Sequence, residues 1–81
     1  MNKQNIRADA PEVLYSFQCL YQSGTISTEE KNELILLFRD FLGGNKVSGN
    51  KLEASLRDIF HRTNTTMFAK QQIEKILCLI S

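Results

Sequence analysis

The sequence predicts an all-α protein, an antiparallel up-down four-helix bundle formed by residues 9–81. The chain of 81 residues has room for one domain. Its apolar residues recur at helical spacing, and no useful length shows strand-like alternation. The four amphipathic segments are joined by links of about four to eight residues, as in antiparallel helix neighbours. Residues 1–8 are polar and lack periodicity, so we expect a mobile tail there.

The first helix is expected over residues 10–22. Asp9 and Glu12 have the spacing of a capping box, and Pro11 falls in the first turn, where its missing N–H costs nothing. Gly24 is the expected stop. One face carries apolar residues, namely Val13, Leu14, Phe17, Leu20 and Tyr21.

The second helix is expected over residues 28–42. Residues 27–30 form a capping box that places two carboxylates near the positive helix end. Gly43-Gly44 is expected to end this helix in the left-handed conformation. Leu36 lies opposite the apolar face and should be exposed. That face consists of Leu34, Ile35, Leu37, Phe38, Phe41 and Leu42.

The third helix is expected over residues 51–62, with either Ser48 or Asn50 as its cap. A polar connection over residues 61–66 follows, and Thr65 or Thr66 would cap a fourth helix over residues 67–80. The two helices present apolar stripes made of Leu52, Leu56, Ile59 and Phe60, and of Ala69, Ile73, Ile76, Leu77 and Ile80.

Composition narrows the function classes. Ten Lys and Arg against nine Asp and Glu give a net charge of +1, so we expect no nucleic-acid partner. One His and two Cys without ligand-like spacing predict no metal and no other cofactor. Residues 22–33 lack the oxygen ligands of a calcium loop. No catalytic residue is predicted, so we expect a binding protein and not an enzyme.

Compartment and cysteine pairing follow from the same data. The longest apolar run, residues 76–80, is far below the roughly 20 residues of a membrane span, and no signal peptide is recognisable. We therefore expect a cytoplasmic protein. Cys19 and Cys78 would lie at opposite ends of the bundle, so we predict that they do not form a disulfide.

Two groups of residues are candidate partner contacts. The first is polar and lies on helices 3 and 4 and their connection, namely His61, Arg62, Asn64 and Lys70. The second comes from the C-terminal apolar run, because its five consecutive side chains cannot all face one core. Cys78 and Leu79 should therefore be partly exposed to a partner or a membrane surface. Solvated helix faces and a terminal helix docked in a groove are the structural alternatives.

Several motifs resemble those of a known family. They are Glu12-Val13-Leu14 with Leu20-Tyr21, then residues 26–30 opening the second helix, residues 41–44 closing it, residues 52–56, and the final Ile80-Ser81. From residue 11 onward the chain resembles the enterocin A-type immunity proteins, which protect lactic acid bacteria and streptococci from pediocin-like bacteriocins.

The resemblance implies a four-helix bundle in the producer's cytoplasm, at the inner membrane face. Its partner would be the sugar-phosphotransferase permease that serves as receptor, once bacteriocin has bound it. The C-terminal half would discriminate between bacteriocins, and no catalysis would be involved. The competing interpretation from the residues is a small phage- or plasmid-type regulator that binds a protein or DNA.

Overall fold

The computed structural model describes residues 9–80, which form an antiparallel up-down four-helix bundle as predicted. The helices are α1 (Ala10–Gln22), α2 (Thr28–Leu42), α3 (Lys46–Phe60) and α4 (Met67–Ile80). Each packs against the next, and α4 also packs against α1, which closes the bundle. The predicted tail at residues 1–8 and the terminal Ser81 lie outside the described residues.

The core is formed by the inner residues of the predicted apolar stripes, while outer stripe residues such as Phe60 on α3 and Leu77 on α4 pack half-buried against it. Phe17 and Phe38 meet edge to face at its centre, with ring centroids 6.0 Å apart. On α2 only Leu34 and Phe38 are buried, while the rest of its broad apolar face is half-buried, because a helix in a four-membered bundle directs only a narrow stripe at the axis. The buried apolar residues are Val13, Phe17, Leu20, Ile26, Leu34, Phe38, Leu52, Leu56, Ile59, Ala69, Ile73 and Ile76.

Helix α1 has the predicted bounds, but its predicted capping box is wrong. Asp9 is the N-cap residue, yet its backbone is helical (φ −90°, ψ 0°) and its side chain makes no capping hydrogen bond. A capping side chain needs an extended backbone to reach back to the first turn. Glu12 instead forms an ion pair with Lys75 on α4.

Helix α2 confirms its predicted bounds and its capping box. Ser27 Oγ accepts a hydrogen bond from the Glu30 backbone N–H (3.1 Å), and Glu30 Oε1 accepts one from the Ser27 backbone N–H (3.0 Å). The left-handed residue after the helix is Gly44 (φ +99°), whereas Gly43 has φ −78°. The glycine pair therefore ends the helix as predicted, but only its second member needs the conformation that glycine adopts cheaply.

Helix α3 begins five residues earlier than predicted and ends at Phe60. Its cap is Asn45, whose Oδ1 accepts a hydrogen bond from the Ser48 backbone N–H (3.0 Å), so the predicted caps Ser48 and Asn50 are both wrong. The extension places Gly49 inside the helix. A Cβ at this position would lie 2.5 Å from Phe41 Cδ1, so the missing side chain lets α2 and α3 approach closely.

Helix α4 has the predicted bounds, and Thr66 is its cap, because Thr66 Oγ1 accepts a hydrogen bond from the Ala69 backbone N–H (3.2 Å). Thr65 is buried and donates to the Ile59 carbonyl oxygen (2.5 Å), which holds the link against α3. Between residues 9 and 80 no helix combines the length and apolar character that crossing a bilayer requires.

Candidate functional site

The α3–α4 link, residues 61–66, brings three of the predicted contact residues to one end of the bundle. His61 caps the C-terminus of α3, while Arg62 and Asn64 follow in the link. Lys70 lies one turn into α4 and faces back toward α3. We call His61, Asn64, Lys70 and the adjoining Phe60 the link surface.

Phe60 organises this surface. Its ring centroid lies 5.2 Å from the His61 ring, which meets it edge to face at 77°. Lys70 Nζ lies 5.4 Å from the same centroid, within the range of a cation–π interaction. Phe60 is half-buried, while His61 and Asn64 are exposed. One aromatic ring therefore contacts two polar side chains, the exposed His61 and the half-buried Lys70.

Arg62 is engaged within the chain. Its Nη2 lies 2.6 Å from Glu30 Oε2 and 3.2 Å from Asp58 Oδ2. The hydrogen bond from Arg62, followed by that from the Ser27 backbone, holds the pKa of the Glu30 carboxyl below its usual value. The ion pair with Glu30 connects the link to the first turn of α2. The structure thus shows that Arg62 orients the link through these ion pairs. Its role as a partner contact stays a prediction.

Cys78 and Leu79 lie apart from the link surface. Cys78 is exposed and Leu79 is half-buried, as predicted. Both follow Lys70 by eight or nine residues, about 12 Å along the axis of α4. The structure therefore does not bring the two predicted groups together into one compact site. They occupy two parts of the surface of the same helix.

Sequence reasoning missed two exposed apolar residues beside the link. Met67 is 70% exposed and Phe68 is 52% exposed, both in the first turn of α4. A detectable signal was present, because Met67 falls outside the apolar stripe of α4 and Phe68 only at its edge. Tyr15 on α1 is also exposed, and its hydrogen bond with Cys19 raises the pKa of the Tyr15 hydroxyl.

A cleft of about 290 Å³ lies between α2 and α3. Three carboxylates face it, and two of them, Glu30 and Asp58, are paired with Arg62 at its edge. Within residues 9–80 no group of His, Cys, Asp and Glu is arranged to hold a metal ion. The lining consists of Glu30, Glu33, Leu34, Ala54, Ser55, Asp58, Ile59 and Arg62.

Comparison with known proteins provides no relative: no protein family, no curated protein and no solved structure matches this chain.

Proposed function

We propose that this chain is a bacteriocin immunity protein. It protects the producing cell by binding, without catalysis, the membrane permease to which a pediocin-like bacteriocin is bound. The support comes from the resemblance of its helix-opening and helix-closing motifs to the enterocin A-type family, together with its four-helix bundle. Protection of this kind requires only a higher affinity for the occupied receptor than for the empty one.

The observation that carries the proposal is the link surface. His61 and Lys70 present two polar groups held on one ring, and neither has a carboxylate partner among residues 9–80. Such preorganised side chains lose little conformational entropy on binding, so they suit the recognition of another protein. The surface belongs to the C-terminal half, where the resemblance locates discrimination between bacteriocins.

The regulator interpretation has weaker support. A helix-turn-helix DNA reader joins its helices through a turn of about three or four residues. Here six residues, 61–66, separate α3 from α4. The net charge of +1 also provides little attraction to a phosphate backbone.

The test is protection of a sensitive strain. The chain is expressed in a strain that pediocin-like bacteriocins kill, and the strain is challenged with a panel of those peptides. We expect a raised inhibitory concentration for at least one peptide. Lys70→Glu should abolish protection, whereas the matched control Lys46→Glu, at the exposed start of α3, should retain it.

A chimera locates the specificity. Residues 45–81 are replaced by the corresponding half of an established enterocin A-type immunity protein with a different cognate peptide. Protection should change to that peptide's specificity. If the unmodified chain leaves the sensitivity to every peptide of the panel unchanged, the proposed function is contradicted. If the chimera keeps the specificity that accompanies residues 1–44, only the location of the site is contradicted.

A further inference from the structure

The outer face of α4 carries an exposed ridge. It consists of Met67, Gln71, Glu74 and Cys78, all of which are exposed. Their spacing of i, i+4, i+7 and i+11 confines them to an arc of about 60° at 100° per residue. This is the repeat by which one helix packs lengthwise against another. In the bundle it points away from the buried stripe of the same helix.

The polar side chains on and beside the ridge differ in whether they have ion-pair or hydrogen-bond partners within the chain. On the side facing α1, Lys75 is paired with Glu12, and Gln72 accepts a hydrogen bond from Ser16 (2.8 Å). Toward α3, the Lys70 side chain makes a cation–π contact with the Phe60 ring, and neither Lys70 nor the ridge residue Glu74 has an ion-pair partner among residues 9–80. One cation and one anion on the same side are therefore available to a partner.

The ridge is complementary to itself in the antiparallel direction. Consider a twofold axis that lies between the two copies of α4, perpendicular to both helices and level with the midpoint of residues 72 and 73. This axis places Met67 of one copy opposite Cys78 of the second. It also places Gln71 opposite Glu74, where the amide N–H can donate to the carboxylate. Each pairing occurs twice, as an isologous interface requires.

The flanking groups follow the same symmetry. The twofold axis brings the α3-facing flank of one α4 next to the α3-facing flank of the other. Lys70 of one copy therefore meets Glu74 of the other, with an offset of about 1.5 Å along the helix axis. A parallel pairing would instead place Glu74 opposite Glu74, which is repulsive.

We propose that two copies of this chain associate antiparallel through the outer ridge of α4. The inference does not depend on the proposed function. A single helix pair buries less than the roughly 1,200–2,000 Å² of a standard stable interface, so the dimer is weak and forms at high protein concentration. It also covers Lys70 and Cys78, so dimer formation and partner binding would compete for this surface.

Disulfide trapping tests the contact and its direction. Met67→Cys is introduced into the full chain together with Cys19→Ser, and the protein is mildly oxidised. Positions 67 and 78 of one chain are about 16 Å apart along α4, beyond the roughly 7 Å that a disulfide spans, so the two thiols can bond only between chains. We expect a covalent dimer whose cross-link joins position 67 to position 78.

The matched control is Leu36→Cys with Cys19→Ser, since Leu36 is 60% exposed on α2, away from the ridge. A dimer yield no higher than that of this control would overturn the proposal. Cross-links that join 67 to 67 and 78 to 78 would overturn it equally, because they indicate a parallel pairing.

Charge reversal provides an independent readout by sedimentation equilibrium. Glu74→Lys and Lys70→Glu should each weaken association by about tenfold, and the double variant should restore most of it. Circular dichroism verifies that each variant keeps its helices. Association that is unchanged in both single variants, or absent in the unmodified chain at about 500 µM, contradicts the proposed dimer.

Discussion

The Arg62 guanidinium lies 2.6 Å from the Glu30 carboxylate and joins the α3–α4 link to the first turn of α2. Glu30 uses its two oxygens for different purposes: Oε1 completes the capping box with Ser27, and Oε2 receives Arg62. One carboxylate therefore stabilises a helix end and positions the link that carries two of the predicted contacts, His61 and Asn64.

Glu30→Gln should lower the free energy of unfolding at pH 7 by about 0.5–1 kcal/mol, since the pair is about one-third exposed. Because the folded-state pKa of Glu30 is lowered, its contribution is present above the unfolded pKa of about 4.3 and is lost as pH falls through the folded value. The difference between the two proteins should therefore shrink in acid. Denaturant titrations at pH 7 and pH 3 measure this difference in the free energy of unfolding, and Glu33→Gln is the exposed control. A difference that is the same at both pH values would contradict the stabilising role of the Glu30 carboxylate.

Gly49→Ala should destabilise the bundle by about 1–3 kcal/mol, although alanine is the better helix former. The added Cβ would lie 2.5 Å from the Phe41 ring, which must then move. Chemical denaturation provides the measurement. Combining Gly49→Ala with Phe41→Leu should recover part of the loss, and a simple addition of the two single losses would show that this contact is not the cause.

Asn45→Ala should cost about 1 kcal/mol of stability, because it leaves the Ser48 N–H without its capping acceptor. Asn50→Ala, inside the helix and exposed, should change stability by less than about 0.5 kcal/mol. Thermal unfolding of both variants compares the two positions. A larger loss of stability in Asn50→Ala than in Asn45→Ala would instead support the later start of α3 that the sequence predicted.

Leu34→Ala should cost about 2–5 kcal/mol, because Leu34 is 2% exposed. Leu36→Lys, at a side chain that is 60% exposed, should stay within about 0.5 kcal/mol of the parent. The loss of stability in Leu37→Ala should lie between those of the other two variants, since Leu37 is half-buried and not part of the inner core. Equal losses at Leu34 and Leu36 in a urea titration would contradict the orientation of α2.

Freshly purified protein should show two reactive thiols when denatured without reductant. The Ser16–Gln72 and Glu12–Lys75 contacts set the antiparallel register of α1 and α4. In that register Cys19 and Cys78 are about nine residues, or roughly 14 Å, apart along the bundle, too far for a disulfide. A monomer with a mass lower by two protons and no titratable thiol would contradict this register.

Local signals in the sequence were sufficient for the bounds of α1, α2 and α4, the capping box at Ser27, the buried stripes and the exposure of Leu36. Each depends on residues within about one or two helical turns, where periodicity and cap chemistry act directly. Asn45 was detectable by the same rule, because Asn is a preferred cap and its acceptor reaches the third residue on. Gly49 obscures this earlier start, because glycine is a poor helix former.

What only the tertiary structure decided involves residues far apart in the chain. Gly49 belongs in a helix because Phe41 of the neighbouring helix occupies the space of its missing side chain. Glu12 pairs with Lys75 instead of capping α1, and Arg62 reaches across to Glu30 instead of remaining in solvent. These pairings depend on which helix faces meet and at what axial offset. Hydrophobic periodicity determines which side of each helix is buried, but it does not determine the register between helices.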